Sequence, residues 1–274
     1  SKFKTMNCLS RNNVLINISC NSYNDGSINI DVNVGSPPYS YNWSTLNPDS
    51  SDQFNLYAGS YDLQITDVKG CMFDTTFLLT EPTPLQTTIV STTDYNGYDI
   101  SCNGYSDGGI DLDVSGSVPG YTYLWNTSDI IEDLVNLSAG LYSVDVTDAN
   151  LCTTSTSILL LEPGQLQTTI VSSTNYNGFD ISCNGYSDGG IDLTVIGSVP
   201  GYTYSWNIGL FTQDLDSLSS DMYVINVTDA NGCFINDSIF LQDPTPLASV
   251  YTVSDINGYN VCFNGTDGTI DLNI

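Results

Sequence analysis

The sequence predicts an all-β protein, a tandem array of small immunoglobulin-like β-sandwich repeats of about 81 residues each. One supporting observation is a ten-residue phrase, Cys102 to Asp111, that returns almost unchanged from Cys183 to Asp192. Another is that Trp43, Trp125 and Trp206 keep the same period. A third is that no stretch shows helical periodicity with polar caps, whereas each unit holds six or seven short strand-like runs.

The repeated landmarks divide the chain into three full units and the beginning of a fourth. Looser copies of the phrase begin at Cys20 and Cys262, and each full unit ends on an acidic residue followed by proline, at Glu81, Glu162 and Asp243. Proline at these places is expected to stiffen a short linker. The predicted repeats cover residues 1–82, 83–163 and 164–244, and a partial repeat covers residues 245–274.

The strands of the third unit are short runs of alternating or β-branched residues, separated by turns rich in glycine, proline, aspartate and asparagine. In chain order they are predicted at residues 166–173, 191–196, 202–206, 215–218, 222–228 and 233–241. Trp206 ends the third strand and is predicted to anchor the core, with Tyr223 packing nearby. Trp125 with Tyr142, and Trp43 with Tyr61, hold the same positions. A core role is predicted for these aromatic residues rather than sugar stacking.

Composition excludes several classes of function. The chain has 31 acidic and 4 basic residues and a formal net charge of −27, so it would repel nucleic acid and anionic lipid. It has no histidine, the commonest general base, and no phosphate-cradling loop that opens a helix, so no enzymatic activity is predicted. No apolar run approaches the roughly 20 residues of a membrane helix. Because the chain begins and stops inside copies of the repeat, we expect a segment of a longer protein.

Four motifs in fixed order carry a resemblance to a known family. In the second unit they are Cys102-Asn-Gly-Tyr-Ser-Asp-Gly-Gly-Ile, Pro119-Gly-Tyr-Thr-Tyr-Leu-Trp, Ala139-Gly-Leu-Tyr-Ser-Val-Asp-Val-Thr-Asp-Ala-Asn-Leu-Cys and Glu162-Pro. With this spacing the sequence resembles the SprB-type repeat, which is related in fold to PKD and other immunoglobulin-like modules. The departures are an extra cysteine at Cys8, an extended region around residues 94–98, and the loss of the glycine before Tyr223.

The resemblance implies a place and a role for the chain. Proteins with such repeats are typically giant surface adhesins of gliding and other surface-attached bacteria, exported by type IX secretion. It therefore implies an extracellular, cell-surface stalk or filament segment, whose partners are the neighbouring repeats of the same chain and possible surface glycans or a host or substratum. It also suggests O-glycans at short Asp-Ser/Thr motifs, with Thr75, Ser217 and Ser238 as candidates.

Eight cysteines on a regular lattice, in a chain that resembles secreted proteins, predict disulfides rather than buried free thiols. Zinc is not expected, because no CxxC pair or histidine completes a site. Within one sandwich the two cysteine positions would lie at opposite ends, roughly 20–25 Å apart at about 3.3 Å per residue. A disulfide needs Cα atoms within about 7 Å, whereas the ends of successive repeats in a head-to-tail array would meet.

That geometry favours inter-repeat bonds without excluding the other pairings. The favoured pairs are Cys20–Cys152 and Cys102–Cys233, with Cys71, Cys183 and Cys262 pairing outside the chain. The intra-repeat alternative pairs Cys20–Cys71, Cys102–Cys152 and Cys183–Cys233, and a sequential pairing such as Cys71–Cys102 is also open. The role of Cys8 is not determined by these patterns.

No cofactor is required by these patterns, but acidic residues near the repeated phrase raise the possibility of calcium. Asp107, Asp111, Asp113 and Asp148 are candidate ligands, because hard carboxylate oxygens on a glycine-rich loop suit this ion. The ordinary alternative is that Asp-Gly and Asn-Gly form turns and that alternate aspartates on a strand face water.

Three functions stay open at this point. The preferred one is a disulfide-stabilised structural segment of a secreted surface adhesin, acting in gliding motility or surface attachment. The alternative is an array of carbohydrate- or protein-binding modules that use the variable stretches 126–135 after Trp125 and 207–216 after Trp206. A third possibility is an inert spacer within a secreted enzyme.

Overall fold

A computed structural model describes residues 9–44, 49–253 and 270–273. These residues form antiparallel strands and turns, which confirms the prediction of an all-β fold made of immunoglobulin-like sandwiches. Within these ranges no helix has the length and apolar character that crossing a membrane requires.

In the part of the chain that the structure describes, six strands form each sandwich, arranged as two three-stranded sheets. The first sandwich has β1 (Ser10–Ile16), β2 (Gly26–Val34), β3 (Tyr39–Trp43), β4 (Gln53–Leu56), β5 (Gly59–Asp67) and β6 (Met72–Leu79). The second has β7 (Gln86–Thr92), β8 (Gly108–Ser115), β9 (Thr122–Trp125), β10 (Leu134–Leu137), β11 (Gly140–Thr147) and β12 (Thr153–Leu160). The third has β13 (Gln167–Ser172), β14 (Gly189–Ile196), β15 (Thr203–Trp206), β16 (Leu215–Leu218), β17 (Met222–Thr228) and β18 (Phe234–Phe240). Strands β19 (Val250–Val253) and β20 (Ile270–Asn273) form a further antiparallel pair.

The sheet order is the same in the three sandwiches. One sheet has the order β1-β2-β4, β7-β8-β10 or β13-β14-β16, and the other has the order β3-β5-β6, β9-β11-β12 or β15-β17-β18. In each sandwich the fifth and sixth strands pair as a local hairpin, whereas the second strand pairs with the fourth and the third pairs with the fifth.

Contacts group the residues into two compact units. The first comprises Ser1–Thr93 and Ser106–Leu161, and it contains the first sandwich and the strands of the second. The other comprises Asp94–Tyr105 and Glu162–Ile274, and it contains the third sandwich. The segment Asp94–Tyr105, which leads into β8 along the chain, is therefore held with the third sandwich. The repeat boundaries proposed from the sequence stay a prediction.

Each sandwich encloses its own core between its two sheets. In the second sandwich the inward side chains of Ile110, Leu112, Trp125, Val144 and Val146 are at most 3% exposed. The alternation of apolar and polar residues along β8 and β11 produces this arrangement, because successive side chains in a strand point to opposite faces. Burial of these side chains accounts for most of the stabilisation of the sandwich.

A bulge in the fourth strand of each sandwich brings two residues to the core, and both are leucine in the second and third sandwiches. In β10, Leu134 and Leu137 are both buried although two exposed residues separate them. Asn136 takes a φ of 59°, and the register against β8 shifts between Val135 and Leu137. Asparagine tolerates this left-handed conformation, so the strand gains the extra residue that brings the second leucine inward.

One glycine in each of the second and third repeats allows the linker to pass close to the end of the second strand. Gly197 has a φ of 83°, and a Cβ atom there would overlap the carbonyl oxygen of Gln165. Gly116 stands in the same relation to Pro84, with a φ of 81°. A side chain at either position would have to displace backbone, so these glycines fix the entry of the chain into the second and third sandwiches.

Candidate functional site: the joints between repeats

The repeated phrase forms a tight corner ahead of the second strand of each sandwich. We define the three corners as residues 18–23, 100–105 and 181–186. In the second corner the Tyr105 amide donates to the Cys102 carbonyl oxygen at 3.0 Å, and Gly104 between them has a φ of 78°. Glycine suits this position because its backbone lies in the left-handed region, which Ser22 also adopts in the first corner, with a φ of 65°.

The acidic residue and proline that end each predicted repeat hold this corner in place. The Glu162 carboxylate accepts the Asn103 side-chain amide at 3.0 Å and the Gly104 amide at 2.7 Å. The Asn103 amide also donates to the Pro163 carbonyl oxygen at 3.2 Å. These residues were predicted only to stiffen a linker, whereas in the structure they bind the corner through charge-assisted hydrogen bonds.

A turn after the fifth strand of each sandwich forms the other half of a joint. We call residues 67–71, 148–152 and 229–233 the docking turns. In the second of them, the Asp148 carboxylate is 3% exposed and accepts the amides of Asn150 and Cys152, both at 2.8 Å. Its other oxygen accepts the Ser117 hydroxyl and the Val118 amide. Asp148 therefore fixes the backbone on which the cysteine is mounted.

The ionised form of this aspartate is the one that the turn stabilises. Burial raises the pKa of Asp148, but hydrogen bonds from the Ser117 hydroxyl and the backbone amide of Cys152 outweigh it and lower the pKa below its usual value. The pKa of Asp67 in the first turn is also lowered, chiefly by the hydrogen bond from the Cys71 amide. A negative charge buried in this way is tolerated because several N–H and O–H groups surround it.

In the first compact unit the second docking turn is bonded to the first corner. Cys152 and Cys20 form a disulfide with an S–S distance of 2.07 Å and a Cα–Cα distance of 5.7 Å. Beside it, the Asn150 side-chain amide donates to the Ser19 carbonyl oxygen at 2.9 Å. Cys20 is 5% exposed and Cys152 is 7% exposed, so the bond is largely shielded from water.

The other compact unit contains a joint with the same chemistry. Cys233 and Cys102 form a disulfide with a Cα–Cα distance of 5.7 Å. The Asn231 side-chain amide donates to the Ser101 carbonyl oxygen at 2.9 Å and to the Tyr95 carbonyl oxygen at 3.1 Å. The extended region around residues 94–98 thus supplies the second joint with an additional acceptor for the asparagine, the Tyr95 carbonyl oxygen.

The two bonded pairs are the inter-repeat pairs favoured in the sequence analysis. Because Cys102 is bonded to Cys233, and Cys20 to Cys152, the intra-repeat alternative is not the arrangement in the structure. That alternative would have required two cysteines at opposite ends of the same sandwich to come within bonding distance. Cys183 is exposed and unbonded, and Cys71 is half-buried. Cys8 and Cys262 lie outside the described residues.

Asparagine at the third position of the docking turn was not identified from the sequence. Asn150 and Asn231 each reach a backbone carbonyl group of the corner to which their turn is bonded. The first docking turn has Lys69 at this position instead. The signal available was the repeated Asp-Ala-Asn-Xaa-Cys spacing, which the sequence analysis used only as part of the family resemblance.

The four acidic residues proposed for calcium do not converge. Among the described residues, no group of three or more histidine, cysteine, aspartate or glutamate side chains is placed to hold a metal ion. Asp111 and Asp113 are exposed on β8, and Asp111 accepts the Ser91 hydroxyl at 3.3 Å. Asp107 is half-buried, and Asp148 has both oxygens occupied by the turn.

A thermal melt tests calcium binding directly. Since the Asp148 carboxylate is bound by its own turn, we expect the melting temperature with calcium and with excess chelator to agree within about 1 °C. A change of about 0.5 kcal/mol in the free energy of unfolding would shift it by more than that. Circular dichroism in the β-sheet region measures it. A midpoint that rises with calcium concentration would instead place an ion on the acidic residues.

The three candidate glycosylation residues differ in accessibility. Ser217 and Ser238 are exposed, and Ser217 lies at the bulge of β16 with a φ of 58°. Thr75 is half-buried on β6, where its hydroxyl accepts a hydrogen bond from the Arg11 guanidinium. O-glycosylation stays a proposal for all three residues.

The variable stretches after the core tryptophans form braced loops with apolar tips. The Trp125 indole donates to the Ile131 carbonyl oxygen at 2.9 Å, and the Trp206 indole donates to the Thr212 carbonyl oxygen at 2.9 Å. The tips carry Ile130, 73% exposed, and Phe211, 71% exposed. Each tryptophan therefore supports both the core and the loop.

Comparison with known families matches the regions that carry the corners. The model of the SprB repeat matches residues 12–48, 98–129 and 179–211. Three segments of the chain, one in each sandwich, are therefore similar to the SprB repeat. Each matched segment runs through a corner and the second strand and reaches at least the core tryptophan. The residues that match the family model therefore include the corner, which is the part of a joint to which a docking turn is bonded.

Several solved structures are similar to this chain but share little sequence with it. The N-terminal eight immunoglobulin domains of Down Syndrome Cell Adhesion Molecule show 14% identity over 90% of this chain and 44% of that one, with a TM-score of 0.27. Domains 1–4 of protocadherin gamma B7 show 12% identity over 84% and 71%, with a TM-score of 0.32. Surface layer protein SbsC, domains 1–6, shows 11% identity over 97% and 49%, with a TM-score of 0.26.

The chain spans less than half of two of these proteins, and at such scores the likenesses carry no argument about function. No curated protein is significantly similar to the chain in sequence.

Proposed function

We propose that the chain is a non-enzymatic structural segment of a secreted cell-surface adhesin, in which SprB repeats are joined in series by disulfides. The observation that carries this proposal is the pair of joints, each with a corner, a docking turn and a disulfide between successive repeats. Disulfides persist in oxidising surroundings, which supports an extracellular location. The SprB repeats support placement at the cell surface.

The design of the joints suits a part that transmits tension. A covalent bond between repeats holds when weak contacts would separate, and the asparagine hydrogen bond holds the two backbones in register beside it. The net charge of −27 keeps such a chain soluble and discourages lateral collapse. Gliding motility or surface attachment would be the process served.

Electron microscopy of the intact protein, combined with surface labelling, tests this function. Thin fibres with a regular axial repeat are expected, and an antibody raised against this chain should label intact cells. A compact particle, or labelling only after the cells are broken, would contradict the proposal.

Peptide mapping without reduction should recover Cys20 linked to Cys152 and Cys102 linked to Cys233.

Recognition of a glycan or protein is a second candidate function, favoured by the braced apolar loops. Loops held by a tryptophan hydrogen bond lose little conformational entropy on binding, and Ile130 and Phe211 offer exposed apolar contact. A glycan or protein array probed with the chain is the measurement. Binding that saturates and is lost on replacing Ile130 and Phe211 with serine supports this function, and uniform lack of binding excludes it for the ligands tested.

A further inference from the structure

The third corner has the same internal structure as the two corners that are bonded to a docking turn. Its Tyr186 amide donates to the Cys183 carbonyl oxygen at 3.0 Å, as Tyr105 does to Cys102 at 3.0 Å. Gly185 has a φ of 79°, against 78° for Gly104. The third corner is therefore formed in full without a bonded partner.

The supporting contacts from the end of the repeat are also conserved within the chain. The Asn184 side-chain amide donates to the Pro244 carbonyl oxygen at 3.1 Å and to the Asp243 carboxylate at 2.9 Å. The Gly185 amide donates to Asp243 at 3.1 Å. These bonds repeat the ones that brace the second corner, so the backbone around Cys183 is held rather than flexible.

What distinguishes the third corner is the exposure of its cysteine. Cys20 is 5% exposed and Cys102 is 6% exposed, because each is covered by the docking turn to which it is bonded. Cys183 is exposed and unbonded, although Ile181 two residues earlier is fully buried like Ile100. The difference thus lies in the missing cover and not in the corner.

We propose that the third corner is a preformed docking socket for the Asp-Xaa-Asn-Xaa-Cys turn of another SprB repeat, which it binds through a Cys183 disulfide and a Ser182 carbonyl group. This inference rests on the proposed function, in which repeats are joined in series, and it names the partner chemistry. Asn150 and Asn231 show what the partner must supply: a side-chain amide for the serine carbonyl group, two residues before the cysteine.

The covalent step balances with a small-molecule disulfide as oxidant. The thiol of Cys183 and the thiol of the incoming cysteine lose two protons and two electrons and form one S–S bond. Oxidised glutathione accepts them, its own S–S bond breaks, and two molecules of reduced glutathione leave. The noncovalent contacts of the turn place the two sulfur atoms together before this exchange.

The full chain extended by one docking turn tests the proposal. A copy of residues 196–244 is fused behind residue 274, so that the fourth copy of the repeat is complete. The extended and unextended chains are then oxidised in a glutathione buffer. We expect Cys183 to be alkylated by iodoacetamide in the unextended chain and to be protected in the extended one. Non-reducing peptide mapping should recover Cys183 linked to the added copy of Cys233.

A matched variant isolates the role of the asparagine. In the extension, the added copy of Asn231 is replaced with lysine (Asn231→Lys), the residue that the first docking turn has at position 69. We expect the Cys183 bond to form about tenfold more slowly, because one hydrogen bond that aligns the two backbones is lost. An unchanged rate would overturn the role assigned to the asparagine.

Two further outcomes separate the possible failures. If Cys183 stays equally reactive with extensions copied from residues 196–244 and, independently, from residues 115–163, the socket does not exist. If Cys20–Cys152 and Cys102–Cys233 are themselves absent from the digest, the proposed function fails before the socket is in question.

Discussion

Replacing Cys20 and Cys152 together with serine is expected to lower the free energy of unfolding of the unit that contains the first two sandwiches by up to about 5 kcal/mol. The bond joins residues 132 positions apart, and such a long loop removes much conformational entropy from the unfolded chain. Urea denaturation followed by tryptophan fluorescence measures the effect, since Trp43 and Trp125 report on the two cores.

Cys183→Ser is the matched control for this experiment. Because Cys183 is exposed and unbonded, its replacement should change the free energy of unfolding by less than about 0.5 kcal/mol. If the double variant unfolds at the same urea concentration as the control, the joint contributes nothing measurable and the two sandwiches are only tethered by the backbone.

The second large effect is expected at the docking turn. Asp148→Ala should destabilise the second sandwich by about 3–5 kcal/mol, because it leaves the Ser117 hydroxyl and the Val118 and Cys152 amides without their acceptor. Asp145→Ala on the adjacent strand is the control, since that side chain is exposed and should cost less than about 0.5 kcal/mol. Equal effects of the two variants would contradict the role of Asp148.

The pH dependence of this difference has a definite sign. The pKa of Asp148 is lowered in the folded chain, so its contribution is complete above the pKa of an unfolded aspartate, about 3.9. It is lost as the pH falls through the lower folded pKa. The gap in stability between the wild type and Asp148→Ala should therefore be constant above about pH 5 and shrink below about pH 4.

Much of the fold could be predicted because the period of 81 residues shows every landmark several times. The strand predicted at residues 191–196 corresponds to β14, which begins two residues earlier in the structure. The strands predicted at residues 215–218 and 222–228 have the same bounds as β16 and β17. The favoured cysteine pairing also agrees with the structure, since it followed from the distance between the ends of a sandwich.

The candidate site could be predicted only in part, because its side chains act on backbone far away in sequence. Asp148 was considered a calcium ligand because it is a carboxylate in a predicted turn. In the structure it accepts hydrogen bonds from Ser117 and Val118, which lie 30 or more residues away in the sequence. Glu162 reaches Gly104 from 58 residues away. A carboxylate that binds backbone amides and one that binds a cation have the same local sequence, and only the fold distinguishes them.

The two disulfides interleave, and this determines how far the chain can be stretched. Between Cys20 and Cys233 the backbone runs for about 210 residues, or about 700 Å when fully extended at about 3.4 Å per residue. With both bonds intact, the shortest covalent route crosses from Cys20 to Cys152, runs back about 50 residues to Cys102, and crosses to Cys233. That route extends only to about 170 Å. Pulling between Cys20 and Cys233 would tighten residues 102–152 while the remaining backbone stayed slack, so the two disulfides, and not the full length of the backbone, set the maximum extension of this stretch.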